Sequence, residues 1–222
     1  MVSILIGGDL APTPSNYSLF EKGDIRSLLG VELFEILQNA DARVFNLELP
    51  ITDSNGKIYK AGPNLKAPTS TIKGVRFLNP TVLSLANNHI MDYGKVGLLD
   101  TFNILKANNI KYCGAGNDLN EASKPFIFVK NSVNIGIYSC AEHEFGIAGI
   151  ADSGANPFDP LETPDQIAKL KSSCDYVIVL YHGGKEHYRY PSPQLQKNCR
   201  KLVEKGADLV VCQHSHCVGA YE

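Results

Sequence analysis

A mixed α/β fold is predicted for this chain on three observations. Strand and helix signals alternate from end to end, and five short apolar runs read as buried strands. Each of those runs also ends, within three residues, on a side chain able to bind a metal. Val2–Ile6 leads through Gly7-Gly8 to Asp9, and Arg43–Phe45 leads to Asn46-Leu47-Glu48. Val82–Leu85 leads to Ala86-Asn87-Asn88-His89, and Val177–Tyr181 to His182-Gly183-Gly184. Leu209–Cys212 leads to Gln213-His214-Ser215-His216. Ligands at the carboxyl ends of strands gather on one edge of an α/β sheet, where such folds keep their sites.

The connecting elements follow in order. A Pro/Ser loop spans 11–24, and an amphipathic helix is expected over Ile25–Gln38 from apolar residues at 25, 28, 29, 33, 36 and 37. Residues 50–68 form a long loop punctuated by Ser54-Asn55-Gly56 and Ala61-Gly62-Pro63, a site rim rather than a linker. Thr71–Phe77 is a short helix, and Lys95–Asn108 a longer one with Leu98, Leu99, Phe102 and Leu105 on one face, Asp92 serving as its N-cap. Gly114-Ala115-Gly116 is a turn. Phe126–Lys130 and Val133–Ser139, joined by Asn131-Ser132, form a β-hairpin, and the Gly/Pro-rich stretch 141–160 is a second rim loop. Thr163-Pro164-Asp165-Gln166 starts a helix with Thr163 as cap, and Ser192-Pro193 starts another that Gly206 stops after Lys205. With no internal repeat or low-complexity segment, residues 1–222 read as one domain.

Composition excludes several classes. Hydrophobic residues are 44% and charged residues 20%, ordinary for a globular core. Formal net charge is −2, from 21 Lys+Arg against 23 Asp+Glu, with no basic stripe, so no nucleic-acid partner is indicated. The six cysteines form no CxxC pair and read as reduced thiols of a cytoplasmic protein. No apolar stretch reaches membrane-span length, and Met1 runs at once into a strand signal. The expected location is therefore cytoplasmic as the chain stands, or an extracellular face if a leader or anchor has been removed.

A pair of divalent ions needs a bridging carboxylate with imidazole and oxygen ligands on stiff backbone. Asp9 and Glu48 supply carboxylates, Asn88 an amide oxygen, and His182, His214 and His216 imidazoles. Ions about 3.5–4 Å apart lower the pKa of a shared water and clamp an in-line displacement. His89, beside a ligand-type Asn, suits protonation of a leaving group. Each residue alone has a plainer reading: Asp9 as a turn residue, Glu48 as a surface charge, Asn87-Asn88-His89 as a polar loop. Their shared strand-end placement favours chemistry. His143 and His187 lack that placement and read as surface or rim residues.

Several segments resemble the CapA-type capsule synthesis proteins: Asn46-Leu47-Glu48-Leu49-Pro50, Ser84-Leu85-Ala86-Asn87-Asn88-His89 with Asp92-Tyr93-Gly94, and Gly114-Ala115-Gly116. So do His182-Gly183-Gly184-x-Glu186 and Gly206-Ala207-Asp208 leading into His214-Ser215-His216. That family is linked to poly-γ-glutamate capsule or polymer synthesis, within the calcineurin-like metallophosphatase superfamily, and the resemblance runs the length of the chain. It implies an α/β (α+β) fold, a two-sheet β-sandwich flanked by helices, with metals at the strand ends. By position it implies Asp9, Glu48, Asn88, His182, His214 and His216 as ligands to manganese, iron or zinc. His89 is implied as the catalytic residue, with Asn87 and Glu186 near an anionic small-molecule or polymer substrate. The implied activity is a phosphoesterase-like hydrolase serving the capsule-synthesis machinery; the competing reading is a non-catalytic polymer-handling component. Two departures stand out. The superfamily's Asp-x-His opening is here Asp9-Leu10-Ala11, so one of two ions is expected to bind more weakly. The chain also stops at Tyr221-Glu222, where family members continue into further strands, so a C-terminally shortened fold is expected.

Overall fold

The computed structural model describes residues 1–222, which form two compact units. The first comprises residues 1–85 and 89–112, the second 86–88 and 113–222.

The first unit opens with β1 (Ile4–Leu10), α1 (Tyr17–Lys22), α2 (Ile25–Asn39) and β2 (Ala42–Leu47). After the long loop, a 3-10 turn (Thr69–Thr71) runs into α3 (Ile72–Phe77), followed by β3 (Val82–Ser84) and α4 (Gly94–Ala107). The chain then passes to the second unit along β4 (Tyr112–Cys113). Sheet order is β1-β2-β3-β4, with β1–β2 and β2–β3 parallel. Val44, Leu47, Val82, Leu83 and Leu98 are fully or almost fully buried, the continuous burial that parallel strands require.

The second unit contains β5 (Ala115–Gly116), α5 (Leu119–Ala122), β6 (Phe126–Lys130), β7 (Val133–Ala141) and β8 (Gly154–Ala155). It ends with α6 (Glu162–Lys171), β9 (Tyr176–His182), α7 (Pro193–Glu204) and β10 (Leu209–Gln213). Its main sheet has the order β10-β9-β7-β6, parallel except for the β6–β7 hairpin, and β5 pairs with β8. Ile167 and Leu170 of α6 and Leu195 and Leu202 of α7 cluster with Tyr138, Val177, Val179 and Tyr181 of the strands. No helix is long and apolar enough to cross a membrane.

All five apolar runs are strands, and the hairpin turns at Asn131 and Ser132, both at positive φ (51° and 62°) as a tight two-residue connection needs. Ser192 caps α7 by accepting from Leu195 N at 3.1 Å. Other expectations change. Residues 17–22, read as loop, form α1, which Gly23 ends in the left-handed conformation. Gly30 sits at φ 77° and breaks the period of α2, so Leu33 and Ile36, expected inward, are exposed. Thr163 lies inside α6 rather than capping it; Asp159 instead accepts from Leu161 N and Glu162 N, while Thr163 Oγ1 accepts from Asp159 N. Gly114 makes the expected turn, at φ 84°, but Ala115–Gly116 pairs as a strand.

At Gly74 of α3 an added Cβ would come within 2.5 Å of the Phe20 Cα on α1. Alanine would gain about 1 kcal/mol of helix propensity there, but backbone cannot yield as a side chain can. Gly74→Ala should therefore destabilise the protein by about 1–3 kcal/mol, read as a lower denaturant midpoint at unchanged slope.

Candidate functional site

Parallel pairing delivers the polar residues of each unit to one edge of its sheet. In the first unit the β1 register shifts between Ile6 and Asp9, across Gly7-Gly8, and Asp9 then stands opposite Asn46 on β2. This irregularity is a bulge, the device that re-aims a side chain. It draws Asp9 into the strand, which runs on to Leu10 rather than ending at Ile6. Asn46 is fully buried and donates through Nδ2 to Asp9 Oδ1 at 2.8 Å and to Glu48 Oε2. One amide thus holds two carboxylates. Sequence reasoning assigned Asn46 no role; the available signal was spacing, since residues two apart in an extended chain share a face.

His89 and Asp92 form a second cluster in this unit. Asp92 Oδ2 is 2.7 Å from His89 Nδ1 and accepts from Leu65 N at 2.6 Å. The expected capping role of Asp92 is corrected here: Tyr93 holds the N-cap position of α4, with no side-chain cap. The carboxylate is wholly buried and serves His89 and the long loop instead.

In the second unit, His182 ends β9 opposite Gln213 of β10 and Ala141 of β7. Its Nε2 lies 3.1 Å from Asn88 Oδ1, and its ring centroid is 4.8 Å from that of His214. His214 and His216 rings are 6.0 Å apart, and both residues sit at positive φ, 93° and 51°. Left-handed backbone at two non-glycine residues costs of order 1–3 kcal/mol each and is found where a site requires it. Asn88, His182 and His214 are 6%, 2% and 7% exposed and border a cavity of about 240 Å³. His143 and Glu144 border it too, so His143 does lie on the rim. Glu186 Oε1 stands 4.0 Å from His214 Nε2 and 3.9 Å from His216 Nε2. His187 packs its ring 5.7 Å from that of His216. Asn87 is wholly buried. A larger cavity of about 400 Å³ in the first unit is bordered by Gly23, Arg26 and Phe77 and by none of the candidate site residues.

Glu142 was also missed from sequence. It accepts from Gly184 N and from Tyr181 Oη, both at 3.0 Å, and so fixes the turn that follows His182. Burial holds the Tyr181 phenol well above its usual range, which keeps it protonated as a donor.

The donors suit a borderline divalent ion. Imidazole nitrogen combined with carboxylate and amide oxygen is the ligand chemistry of zinc, iron and manganese. The six cysteines are free thiols, three of them buried.

Residues 3–222 match the family described as bacterial capsule synthesis protein PGA_cap. The capsule biosynthesis protein CapA of Bacillus anthracis is 32% identical over 84% of this chain and 47% of its own length. The PGA biosynthesis protein CapA of Bacillus subtilis (strain 168) is 31% identical over 84% of this chain and 50% of its own length. The chain thus spans about half the length of the curated relatives it matches. A crystal structure of a novel phosphatase from Mycoplasma pneumoniae superposes with a TM-score of 0.55 at 16% identity, covering 97% of this chain and 64% of the other. That likeness concerns the fold, which is of the calcineurin-like metallophosphatase class.

A methyl group at Gly183 would meet the Glu142 side chain at 2.6 Å. Gly183→Ala should push the carboxylate off Gly184 N and Tyr181 Oη and cost about 1–3 kcal/mol. Chemical denaturation is the measurement, and Tyr181→Phe, which removes one of the two donors, should cost less.

Proposed function

Because this chain belongs to the bacterial capsule synthesis family PGA_cap, we propose that it serves the making of a poly-γ-glutamate capsule or polymer through a metal-dependent hydrolase site. Asp9, Glu48, Asn88, His182, His214 and His216 are the residues assigned to hold divalent manganese, iron or zinc. The observation that supports this most directly is the pair of left-handed histidines, His214 and His216, after a parallel strand whose neighbour ends on His182. Bound there, such ions would act as Lewis acids, lowering the pKa of a water and offsetting the charge of a phosphoester.

The protein's own residues then have separable tasks. Asn46 holds the Asp9 and Glu48 carboxylates, and Glu142 holds the turn after His182. His89, fastened through Nδ1 to Asp92, presents Nε2 to protonate the leaving oxygen. Glu186, about half exposed, and Asn87 are the residues assigned to the substrate side. The substrate class is an anionic small molecule or polymer, and the partners are components of the capsule-synthesis machinery.

Ala11 favours a second reading. It occupies the position where the superfamily's opening motif has an imidazole, so a polymer-handling protein with a degenerate metal site competes with the hydrolase.

Two measurements decide between them. Elemental analysis should find bound transition metal, reduced more by His214→Ala than by His187→Ala. With metal supplied, a model phosphodiester should be cleaved, and His89→Ala should lose about 10²–10⁴-fold of the rate. Metal content without turnover of any ester would favour the polymer-handling reading.

A further inference from the structure

Two of the six free thiols touch: Cys199 Sγ on α7 lies 3.6 Å from Cys212 Sγ on β10. Cys113, Cys140 and Cys174 are buried, whereas Cys212 is exposed and Cys199 half-buried, so this contact is open to solvent on the Cys212 side. Neither sulfur has a task in the hydrolase chemistry proposed above.

Packing fixes the contact from both sides. Leu195, Cys199 and Leu202 recur at helical spacing and share one face of α7. Val210 and Cys212, two apart on a strand, share one face of β10. Leu195 and Leu202 belong to the apolar core of this unit, and Cys199 and Val210 pack against it. A helix and a strand, rather than a loose loop, therefore bring the sulfurs together. A disulfide needs its sulfurs about 2.05 Å apart. With regular backbone on both sides, the remaining approach falls to the side-chain torsions. Accepting an S–H from Cys212 holds the Cys199 thiol below its ordinary value, and the thiolate is the form that reacts.

We propose that Cys199 and Cys212 are a dithiol that peroxide converts to a disulfide, tying α7 to β10 immediately before Gln213 and His214. Cys199 gives its proton to water, and its sulfur attacks one peroxide oxygen. The O–O bond breaks, hydroxide leaves and takes up a proton as water, and Cys199 becomes a sulfenic acid. The Cys212 sulfur then attacks the Cys199 sulfur and breaks its S–O bond. The departing hydroxide combines with the Cys212 proton as a second water. Two thiols are oxidised and one peroxide is reduced.

The test treats the whole, natively folded chain with near-stoichiometric hydrogen peroxide and follows free thiols, intact mass and linked peptides. Two thiols should disappear, with a mass lower by two hydrogen atoms, a bond mapped between Cys199 and Cys212, and full reversal by dithiothreitol. In Cys212→Ser the sulfenic acid should persist on Cys199 and be captured by dimedone. In Cys199→Ser neither the bridge nor a dimedone adduct at Cys212 should form. The oxidised chain should unfold at a higher denaturant concentration than the reduced one, because the bridge closes a loop of the unfolded chain. A bond to any other cysteine, a bond between two chains, or both thiols intact after peroxide overturns the proposal. A lower midpoint after oxidation does so too, since it shows sulfurs not seated for a bond.

Discussion

Since β1, β2 and β3 run parallel in one sheet and β7, β9 and β10 in the other, those strands finish on a common edge of each sheet, the β6–β7 hairpin being the antiparallel exception. Every polar feature described above depends on that constraint. Asp9 aligns with Asn46, and Asn46 with Ser84; Ala141 aligns with His182, and His182 with Gln213. The strand interiors are Val, Ile and Leu because both faces are covered, so residues able to coordinate or transfer protons collect where strand gives way to loop.

Crowding polar groups at a buried edge carries an energetic cost unless each finds a partner. The protein meets it with a small number of shared anchors. Asn46 serves two carboxylates, Glu142 serves a backbone N–H and a phenol, and Asp92 serves an imidazole, an ammonium and a loop N–H. Each is itself an acceptor or donor with more than one site, so one side chain orients several. At this edge His214 and His216, after β10, take left-handed backbone.

The long loop is tied into the same logic. Lys66 Nζ donates to Ser54 O at 2.5 Å and lies 4.9 Å over the Tyr93 ring, while Ile58, Asn64 and Leu65 all converge on Asp92. Much of a segment without regular structure is thus gathered on one buried aspartate beside a histidine. Disturbing either end of that contact is felt at the other.

Local patterns in the chain determined its strands, the hairpin, the α7 cap at Ser192 and the residue types waiting at each strand end, since burial, turn chemistry and capping are written within a few positions of one another. Where the reading failed, a distant partner had overruled the local signal. Asp92 looked like a helix cap, but Lys60 and Leu65, 32 and 27 positions earlier, draw its carboxylate away. Leu33 and Ile36 looked inward until Gly30 broke the helical period. Asn46 and Glu142 gave no sign of their roles because those depend on atoms 37 to 42 residues away, at Asp9, Tyr181 and Gly184. Only the tertiary structure could decide these, because a hydrogen bond is set by distance in space and a sequence records distance along the chain.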